Sequence, residues 1–468
     1  MLKIFRHHVP TWSLVELVAD GALCLAAVLL AVSRMPDAAL APGRVPVPDV
    51  ILRAAVLAAC MALMYAFVGL YRQSAAQVGW RSLMGRALVA LVVGSCIAYA
   101  LFDSTEGDTL VLVGTAVPLM AVGAIAVRSV GYMARRSAVG TRRVLIVGTG
   151  AEAQSVAVEL CADRGKQLTI VGFYPTHGES APMLWLEGRM APVFLDQTPI
   201  EELVRRHHVD EVIVAVREQR GGGLPMDQLL ACRISGVPVL DLSAVFERAK
   251  GEVPIDSLKA SWLVYGHGFV QGWFRTAIKR LFDVVMSVVL LTVAAPVMVL
   301  TALAIVLEGP GPIIYRQDRV GLRGRTFKCL KFRSMAVDAE RDGVARWAQK
   351  NDARVTRVGA VIRKYRIDEL PQLVSVLRGE MSLVGPRPER PEFVRRLQAE
   401  IPFYDIRHSV KPGVTGWAQV RYTYGASVDD ARKKHQYDLY YVKNHSLFLD
   451  LLVLIETVSV VAFGEGAH

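Results

Sequence analysis

Four long apolar stretches open the chain, at residues 12–32, 51–71, 83–102 and 110–127. Each has about 18–21 residues, enough for a helix rising about 1.5 Å per residue to cross roughly 30 Å of hydrocarbon. Four buried helices of a soluble core would give a similar pattern, but such helices rarely stay apolar over this length. The pattern therefore favours a four-helix transmembrane region over residues 1–135.

The charges between these stretches orient the bundle. Lysine and arginine precede the first stretch, separate the second from the third, and follow the fourth. The loop between the third and fourth stretches is acidic instead, with Asp103, Glu106 and Asp108. Because positively charged loops stay in the cytoplasm, we expect both ends of the bundle, and everything after residue 135, to face the cytoplasm.

Residues 141–248 show a different pattern, in which short β-branched runs alternate with helical periodicity. This alternation predicts a parallel sheet with helices on its faces. The predicted strands are residues 144–147, 168–174, 193–195, 211–216 and 237–242, and the predicted helices are residues 152–163, 200–207 and 226–234.

The first of these strands ends in a glycine turn, Gly148-Thr149-Gly150, followed by Ala153. Such a turn lets backbone N–H groups approach a phosphate at a helix N-terminus, so Gly148 and Gly150 are candidates for a nucleotide loop. An acidic residue should end the second strand of a dinucleotide site, but that strand ends at Tyr174. The sequence therefore favours a structural or regulatory Rossmann-like domain over a redox enzyme, and leaves nucleotide or nucleotide-sugar binding open.

The longest apolar run, residues 281–307, follows a glycine-containing segment, residues 249–274, that we interpret as a linker. The run is long enough to span a bilayer. However, basic residues flank it on both sides, and Pro296 removes a backbone donor near its middle. A re-entrant helix that enters and leaves on one face, with its break at Pro296, therefore competes with a kinked spanning helix.

Composition narrows the chemistry. Hydrophobic residues make up 53% of the chain and charged residues 21%, and the net charge is +11. A basic chain suits phosphorylated substrates, anionic lipid or nucleic acid. The six cysteines lack metal-site spacing, which excludes a disulfide scaffold and argues against a zinc site.

Polar residues cluster in four blocks near the C-terminus, at residues 327–335, 363–372, 381–389 and 411–420. In order and content these blocks resemble the bacterial sugar transferases, that is, the polyprenyl-phosphate hexose-1-phosphate transferases. The match covers about residues 275–464. The whole chain is similar to the large form of that family, which has four N-terminal membrane helices, a Rossmann-like middle domain and a monotopic catalytic domain rich in α-helix, here residues 275–468.

The resemblance implies an activity. Family members move a hexose-1-phosphate from a nucleotide sugar such as a UDP-sugar to undecaprenyl phosphate, with release of UMP, in exopolysaccharide or O-antigen synthesis. Asp368-Glu369 is similar to the family's acidic dyad. By that likeness Asp368 is the nucleophile that forms an aspartyl-phosphosugar intermediate, and Glu369 with Asp368 holds Mg²⁺, an ion that prefers hard oxygen ligands.

Further roles come from the same resemblance. Cations around the transferred phosphoryl group would stabilise its anionic oxygens. Gln419 would shape the nucleotide or sugar pocket or only pack against it, and Arg421 would replace a family arginine that usually follows an Asn-Gly pair. The residues so assigned to phosphate contacts are Lys331, Arg333, Arg363 and Arg387.

The resemblance also implies location and partners. We expect a multi-pass protein of the bacterial inner membrane, with its active site at the cytoplasmic face and with undecaprenyl phosphate, a UDP-sugar and the lipid bilayer as partners. Nucleic acid is not an expected partner, and a homodimer is compatible with the architecture. The family's membrane hairpin keeps its proline here, at Pro296, which favours the re-entrant interpretation. Two alternatives remain: a membrane-bound nucleotide-sugar dehydratase or epimerase, and a non-catalytic regulator of polysaccharide assembly.

Overall fold

A computed structural model describes residues 2–4, 7–9, 11–33, 47–71, 85–94, 96, 108–136, 142–162, 168–176, 183–186, 189–194, 198–216, 224–255, 258, 272–339, 352–422, 425 and 427–463. The chain divides into two compact units. An N-terminal unit comprises Met1–Ile4 and His8–Lys250, and a C-terminal unit comprises Phe5–His7 and Gly251–His468.

The N-terminal unit begins with two short strands and four apolar helices, which confirms the predicted helical N-terminal region. Windows of α1 and α4 are long and apolar enough to cross a membrane. The described apolar parts of α2 and α3 are shorter. The elements are β1 (Leu2–Ile4), β2 (His7–Val9), α1 (Thr11–Ser33), α2 (Val47–Phe67), α3 (Gly85–Gly94) and α4 (Asp108–Arg136).

A buried polar cluster joins three parts of this bundle. The Asp20 carboxylate of α1 accepts hydrogen bonds from the Arg128 guanidinium of α4 and from the Tyr71 hydroxyl, the latter at 2.7 Å. The guanidinium also lies 5.0 Å from the ring centroid of Tyr65 in α2. Because charge is costly in a membrane interior unless it is paired, these contacts specify how the helices face one another.

The second half of this unit is the predicted mixed α/β structure, which is confirmed. Its parallel sheet has the order β4-β3-β7-β8. An antiparallel hairpin, β5–β6, was not predicted. The elements are β3 (Arg142–Val147), α5 (Ala151–Ala162), β4 (Leu168–Tyr174), β5 (Met183–Leu186), β6 (Arg189–Pro192), α6 (Ile200–Arg206), β7 (Glu211–Val214), α7 (Met226–Ile234), β8 (Val239–Asp241) and α8 (Leu242–Lys250).

The glycine turn after β3 is required by packing. Gly148 has φ +113°, and a Cβ there would lie 2.8 Å from the Ala215 carbonyl oxygen beyond β7. The Gly150 carbonyl accepts the first hydrogen bond of α5, from the Gln154 N–H at 3.1 Å. Close contact between adjacent strand ends therefore accounts for Gly148 without a ligand.

The C-terminal unit packs helices and strands around a large apolar core, which includes Leu373, Val376, Met381, Trp417 and Tyr440, and a smaller cluster of Ile305, Phe332 and Ile362 lies at the end of α9 (Trp273–Glu308). Its elements are α9 (Trp273–Glu308), β9 (Ile314–Val320), β10 (Thr326–Phe332), α10 (Arg357–Lys364), α11 (Gln372–Arg378), β11 (Ser382–Val384), α12 (Pro391–Glu400), β12 (Gly413–Thr415), α13 (Trp417–Arg421), α14 (Val428–Asn444) and α15 (Leu447–Phe463). Strands β9 and β10 pair antiparallel, and β11 and β12 pair parallel.

The beginning of the predicted linker is part of this core. Val253 and Ile255 are buried in it. The Gly251 carbonyl accepts a hydrogen bond from the Trp417 indole N–H at 2.7 Å, and the Glu252 carboxylate pairs with Lys433. Residues 251–255 form no α-helix or strand although they are packed in the core, so the sequence pattern alone could not distinguish them from a linker.

The membrane helix α9 is attached to this unit at both ends. Near its start, the Arg280 guanidinium donates hydrogen bonds to the carbonyls of Val376 (2.5 Å) and Leu377 (2.7 Å), in the last turn of α11. Near its end, the Glu308 carboxylate accepts the N–H of Val358 at the start of α10, at 2.9 Å. A single helix thus contacts the elements that precede and follow the acidic dyad.

Candidate active site

The acidic dyad lies in a tight turn between α10 and α11. The Thr356 hydroxyl caps α10 by accepting the Gly359 N–H at 2.9 Å. After α10 the chain reverses at Arg366, whose φ of +56° is unusual for a residue with a side chain. Asp368 and Glu369 then occupy one 3₁₀ turn, and each is only 8% exposed. A strained turn that buries two adjacent carboxylates is typical of a functional site.

Glu369 is held by two cations from other elements. Its Oε1 accepts hydrogen bonds from Lys331 Nζ of β10 at 2.9 Å and from Arg387 Nη2 at 2.8 Å. Arg366 Nη1 lies 4.0 Å from Oε2. Burial alone would raise the pKa of Glu369, but the Arg387 and Lys331 charges outweigh burial and hold this pKa well below its usual range. Glu369 is therefore ionised at neutral pH.

Asp368 is in a different state. Burial raises the pKa of its carboxyl group, and the neighbouring Glu369 charge raises it further, although Lys331 opposes both effects. Within the described residues, no hydrogen bond to the Asp368 side chain is present. The two adjacent carboxylates thus differ: Glu369 is bound by two cations, whereas Asp368 accepts no hydrogen bond from the described residues.

These carboxylates fit a magnesium ion. Among the described residues, both Asp368 oxygens are without a hydrogen bond, and the contact of Glu369 Oε2 is the distant one to Arg366. Mg²⁺ is typically bound through one or two carboxylates together with substrate phosphates and water. No cluster of three or more potential metal-ligating His, Cys, Asp or Glu side chains occurs among the residues that the structure describes, so substrate oxygens would complete the coordination.

Arg363 also belongs to this region. Its charge lowers the pKa of Asp368. Its Nη1 atom is buried, and none of the described residues provides it with a hydrogen-bond partner. A buried guanidinium nitrogen without a partner is costly unless a ligand satisfies it. The structure therefore brings together Lys331, Arg363, Asp368, Glu369 and Arg387 of the predicted set.

Two arginines that were predicted to bind phosphate or substrate, Arg333 and Arg421, have other partners. The Arg333 guanidinium donates to the carbonyls of Ile305 (3.0 Å), Gly309 (2.8 Å) and Pro310 (2.7 Å) at the end of α9. Arg421 pairs with Glu456 of α15 at 2.7 Å and stacks on the ring of Trp417, 4.3 Å from its centroid. Both guanidinium groups thus have structural contacts, and a substrate role for either remains a prediction.

Gln419 has a buried amide group whose nitrogen and oxygen both lack partners within the described part of the chain. Pro296 lies inside α9, as predicted. Gly148 and Gly150 belong to the N-terminal unit, whereas the acidic dyad belongs to the C-terminal unit.

The site also contains arginines that the sequence reasoning did not select. Arg366 faces Glu369, Arg407 donates to the backbone carbonyl of Arg387, and Arg319 donates to that of Pro388. Arg366 stands three residues before Glu369, a spacing that brings side chains together on a helical turn. Arg319 and Arg407 carry no comparable signal, because their partners are 69 and 20 residues away along the chain.

Comparison with known proteins identifies the family. The signature of the family described as "Bacterial sugar transferase" matches residues 274–464. An undecaprenyl-phosphate glucose phosphotransferase of Komagataeibacter xylinus is 35% identical over 344 residues, 72% of this chain and 61% of that protein. A UDP-galactose-lipid carrier transferase of Erwinia amylovora is 33% identical over 352 residues, 70% of this chain and 69% of that protein. The chain belongs to the bacterial sugar transferase family, as its sequence blocks predicted.

A third relative is more similar over a shorter stretch. It is the UDP-N-acetylgalactosamine-undecaprenyl-phosphate N-acetylgalactosaminephosphotransferase of Aeromonas hydrophila, 43% identical over 259 residues, 55% of this chain. The alignment covers 60% of that protein, as it covers 61% of the K. xylinus protein, so the chain spans about three fifths of their lengths. The three relatives are named for three different sugars.

Proposed function

We propose that this chain is a phosphoglycosyltransferase that moves a hexose-1-phosphate from a UDP-sugar to undecaprenyl phosphate, with release of UMP, in exopolysaccharide or O-antigen synthesis. The names of two relatives, from Aeromonas hydrophila and Komagataeibacter xylinus, support undecaprenyl phosphate as the acceptor, and the name of the third, from Erwinia amylovora, supports transfer to a lipid carrier. The observation that carries the proposal is the dyad, in which Glu369 is held by two cations beside an Asp368 carboxylate without a hydrogen bond from the described residues.

The difference between the two carboxylates suggests their roles. Asp368 attacks the phosphorus that carries the sugar, so that an Asp–O–P bond forms and the P–O bond to the nucleotide breaks, releasing UMP. An oxygen of undecaprenyl phosphate then attacks the same phosphorus and restores the Asp368 carboxylate. Burial favours this role, because a less solvated carboxylate with a raised pKa is a better nucleophile once it is ionised.

The surrounding side chains stabilise the charge that develops on the phosphoryl oxygens. Lys331 and Arg387 are held at the site by their ion pairs with Glu369. Arg363 Nη1 has no hydrogen-bond partner among the described residues, so it is available to bind a phosphate oxygen. Mg²⁺ held by Asp368 and Glu369 would neutralise diphosphate charge. The unsatisfied amide of Gln419 supports a contact with the donor nucleotide or sugar.

We propose further that α9 is a re-entrant helix. A spanning helix places its ends on opposite sides of roughly 30 Å of hydrocarbon. Here Arg280 near one end donates hydrogen bonds to α11, and Glu308 at the other end accepts one from α10, so both ends are bound to elements of the same unit. Pro296, inside the helix, supplies a position for the bend. The active site would then lie at the cytoplasmic face of the inner membrane, where a soluble donor and a lipid acceptor meet.

For the α/β half of the N-terminal unit we propose a Rossmann-like domain with a structural or regulatory role. The strand order β4-β3-β7-β8 supports the fold, since the order reverses next to β3 as in doubly wound sheets. The packing role of Gly148 supports a structural reason for its glycine turn.

A transfer assay tests the proposed reaction. Purified full-length protein in nanodiscs receives undecaprenyl phosphate, Mg²⁺ and one of a panel of radiolabelled UDP-sugars. We expect Mg²⁺-dependent label in the lipid fraction with equimolar UMP, abolished by Asp368→Asn. Asp318→Asn is the matched control, because Asp318 is exposed and pairs only with Lys328 on the β9–β10 hairpin among its described contacts.

Each outcome separates one part of the proposal. Failure of the folded protein to transfer from any donor would reject the transferase function. Transfer that survives Asp368→Asn would keep the function and reject the covalent intermediate. Label that remains on the protein when undecaprenyl phosphate is omitted, and that is lost in Asp368→Asn, would support the intermediate directly.

A further inference from the structure

The backbone on either side of Arg387 is held in an unusual way. Four consecutive carbonyl groups, those of residues 386–389, each accept a hydrogen bond from a residue outside this segment. The outer two bind backbone donors: the Pro386 carbonyl accepts the Gly413 N–H at 3.0 Å, and the Glu389 carbonyl accepts the Val320 N–H at 2.9 Å.

The inner two carbonyls bind side chains. Arg407 Nη2 donates to the Arg387 carbonyl at 2.8 Å, and Arg319 Nη1 donates to the Pro388 carbonyl at 3.0 Å. Pro386 and Pro388 have no N–H, so these two residues can form backbone hydrogen bonds only through their carbonyls. Two guanidinium groups therefore supply contacts that a strand or helix would otherwise provide.

Arg407 is itself fixed by its surroundings. Its Nη2 binds the Asp438 carboxylate of α14 at 2.8 Å, and its Nη1 binds the Tyr404 hydroxyl at 2.6 Å. The side chains of Arg407 and Asp438 are 5% and 3% exposed. A buried ion pair adds little net stability, because desolvation offsets the attraction, so its main effect here is geometric.

Arg319 is held in a similar manner from the other side. Its Nη2 donates to the side-chain oxygen of Gln317 at 2.6 Å, and its Nη1 lies 3.6 Å from the Glu389 carboxylate. Gln317 belongs to β9, as Arg319 does, and Glu389 directly follows Pro388. The guanidinium is planar and has two terminal nitrogens, so Nη2 can bind Gln317 while Nη1 binds the Pro388 carbonyl. A lysine has a single terminal nitrogen and does not reproduce this geometry.

The held segment carries one side chain to the dyad. Arg387 extends from it to Glu369, and 36% of its side chain remains exposed. The side chain starts from this held backbone, so the position of the backbone limits where its guanidinium can reach and whether the 2.8 Å contact to Glu369 forms. We propose that Arg407 and Arg319 are positioning residues that fix the backbone of Arg387 and so align its guanidinium with Glu369 and the transferred phosphate; the activity part of this inference rests on the proposed function.

A double-mutant cycle tests this inference. We compare Arg407→Lys, Arg387→Ala and the double variant in the transfer assay. A displacement of about 1 Å costs on the order of 100-fold, so we expect Arg407→Lys to lower kcat by about 10- to 100-fold. In the Arg387→Ala background its further effect should be less than about 2-fold, because the group that it positions is absent. Arg319→Lys should behave in the same way.

Arg396→Lys is the matched control. Arg396 lies on α12 with an exposed ion pair to Glu400 at 2.9 Å, so this change should leave kcat unaltered. An equal loss of kcat from Arg407→Lys in both backgrounds would overturn the inference, since a general weakening of the fold acts regardless of Arg387.

Hydrogen–deuterium exchange provides a readout that does not need activity. We expect Arg407→Lys to accelerate exchange in a peptide covering residues 381–390 while a peptide from α12 exchanges as before. Unchanged exchange in the first peptide would overturn the inference. If the unaltered protein transfers from no donor, the proposed function fails, but this exchange experiment still decides whether Arg407 holds the segment.

Discussion

The sequence and the structure assign different roles to Arg333. The family resemblance assigns it to a substrate phosphate, whereas its guanidinium binds the carbonyls of Ile305, Gly309 and Pro310 at 2.7–3.0 Å. The last carbonyls of a helix have no partner within the helix, so Arg333 closes the end of α9. The structure therefore predicts that Arg333→Lys acts on stability first.

The magnitude follows from the hydrogen bonds lost. One ammonium group replaces one of the three contacts well, and each of the other two is worth about 1 kcal/mol net, so the loss is about 2 kcal/mol. For a unit of this size, about 2–4 °C per kcal/mol converts that loss to a decrease in Tm of about 4–8 °C. KM for the donor should change by less than about 3-fold, since the estimate includes no lost substrate contact.

Tryptophan fluorescence during heating in nanodiscs measures the Tm, and the transfer assay measures KM. Arg325→Lys is the control, because Arg325 is exposed and precedes β10, the strand that Arg333 directly follows. Gly311→Ala is a second probe. Gly311 has φ +127°, and an added Cβ would collide with Arg333 Nη1, so this variant should lower the Tm as Arg333→Lys does. An unchanged Tm for Arg333→Lys, with KM raised about 10-fold or more, would refute the capping role and restore the phosphate role.

Three other predictions follow from buried charges. Burial lowers the pKa of His435 to about 3 from an ordinary value near 6.5. The unfolded chain therefore binds a proton at this residue below pH 6.5 while the folded chain does not, so His435 by itself removes up to about 1.4 kcal/mol of stability per pH unit between pH 6.5 and 3, while the buried Asp438, whose pKa is raised to about 6, contributes with the opposite sign. His435→Gln should shift the change in Tm from pH 7 to pH 5 towards higher Tm, and an unchanged slope would contradict this. Asp20→Asn should destabilise the membrane bundle by about 3–5 kcal/mol, seen as proteolysis of the detergent-solubilised protein, because Arg128 then lacks its counter-charge; wild-type resistance would count against it. Glu369→Gln should lower the pKa of Asp368, so the acidic limb of the kcat profile should move to lower pH, and a move to higher pH would exclude this electrostatic coupling.

The parts of the fold that sequence predicted are those with strong local patterns. Strand β4 and helix α7 have the predicted bounds, since hydrophobic periodicity defines both. The β5–β6 hairpin was missed because Met183–Leu186 and Arg189–Pro192 do not alternate clearly between polar and apolar residues.

For the site, sequence identified residue types better than partners. Lys331 and Arg387 were selected, and the structure brings both to Glu369. Arg421 was assigned to substrate, but its partner Glu456 lies 35 residues further along the chain. Nothing local distinguishes a guanidinium that awaits a phosphate from one already paired by tertiary contacts.

The attachment of residues 251–255 has a consequence for how this protein can be divided. A fragment that begins at residue 275, where the sequence blocks suggest a domain start, would remove the carbonyl of Gly251 that binds the Trp417 indole and expose the sites of Val253 and Ile255. The C-terminal unit of this chain is therefore not a detachable module with its border at α9. In any exchange of domains between family members, the few residues after α8 would have to be kept with the C-terminal unit, since they contribute to its core.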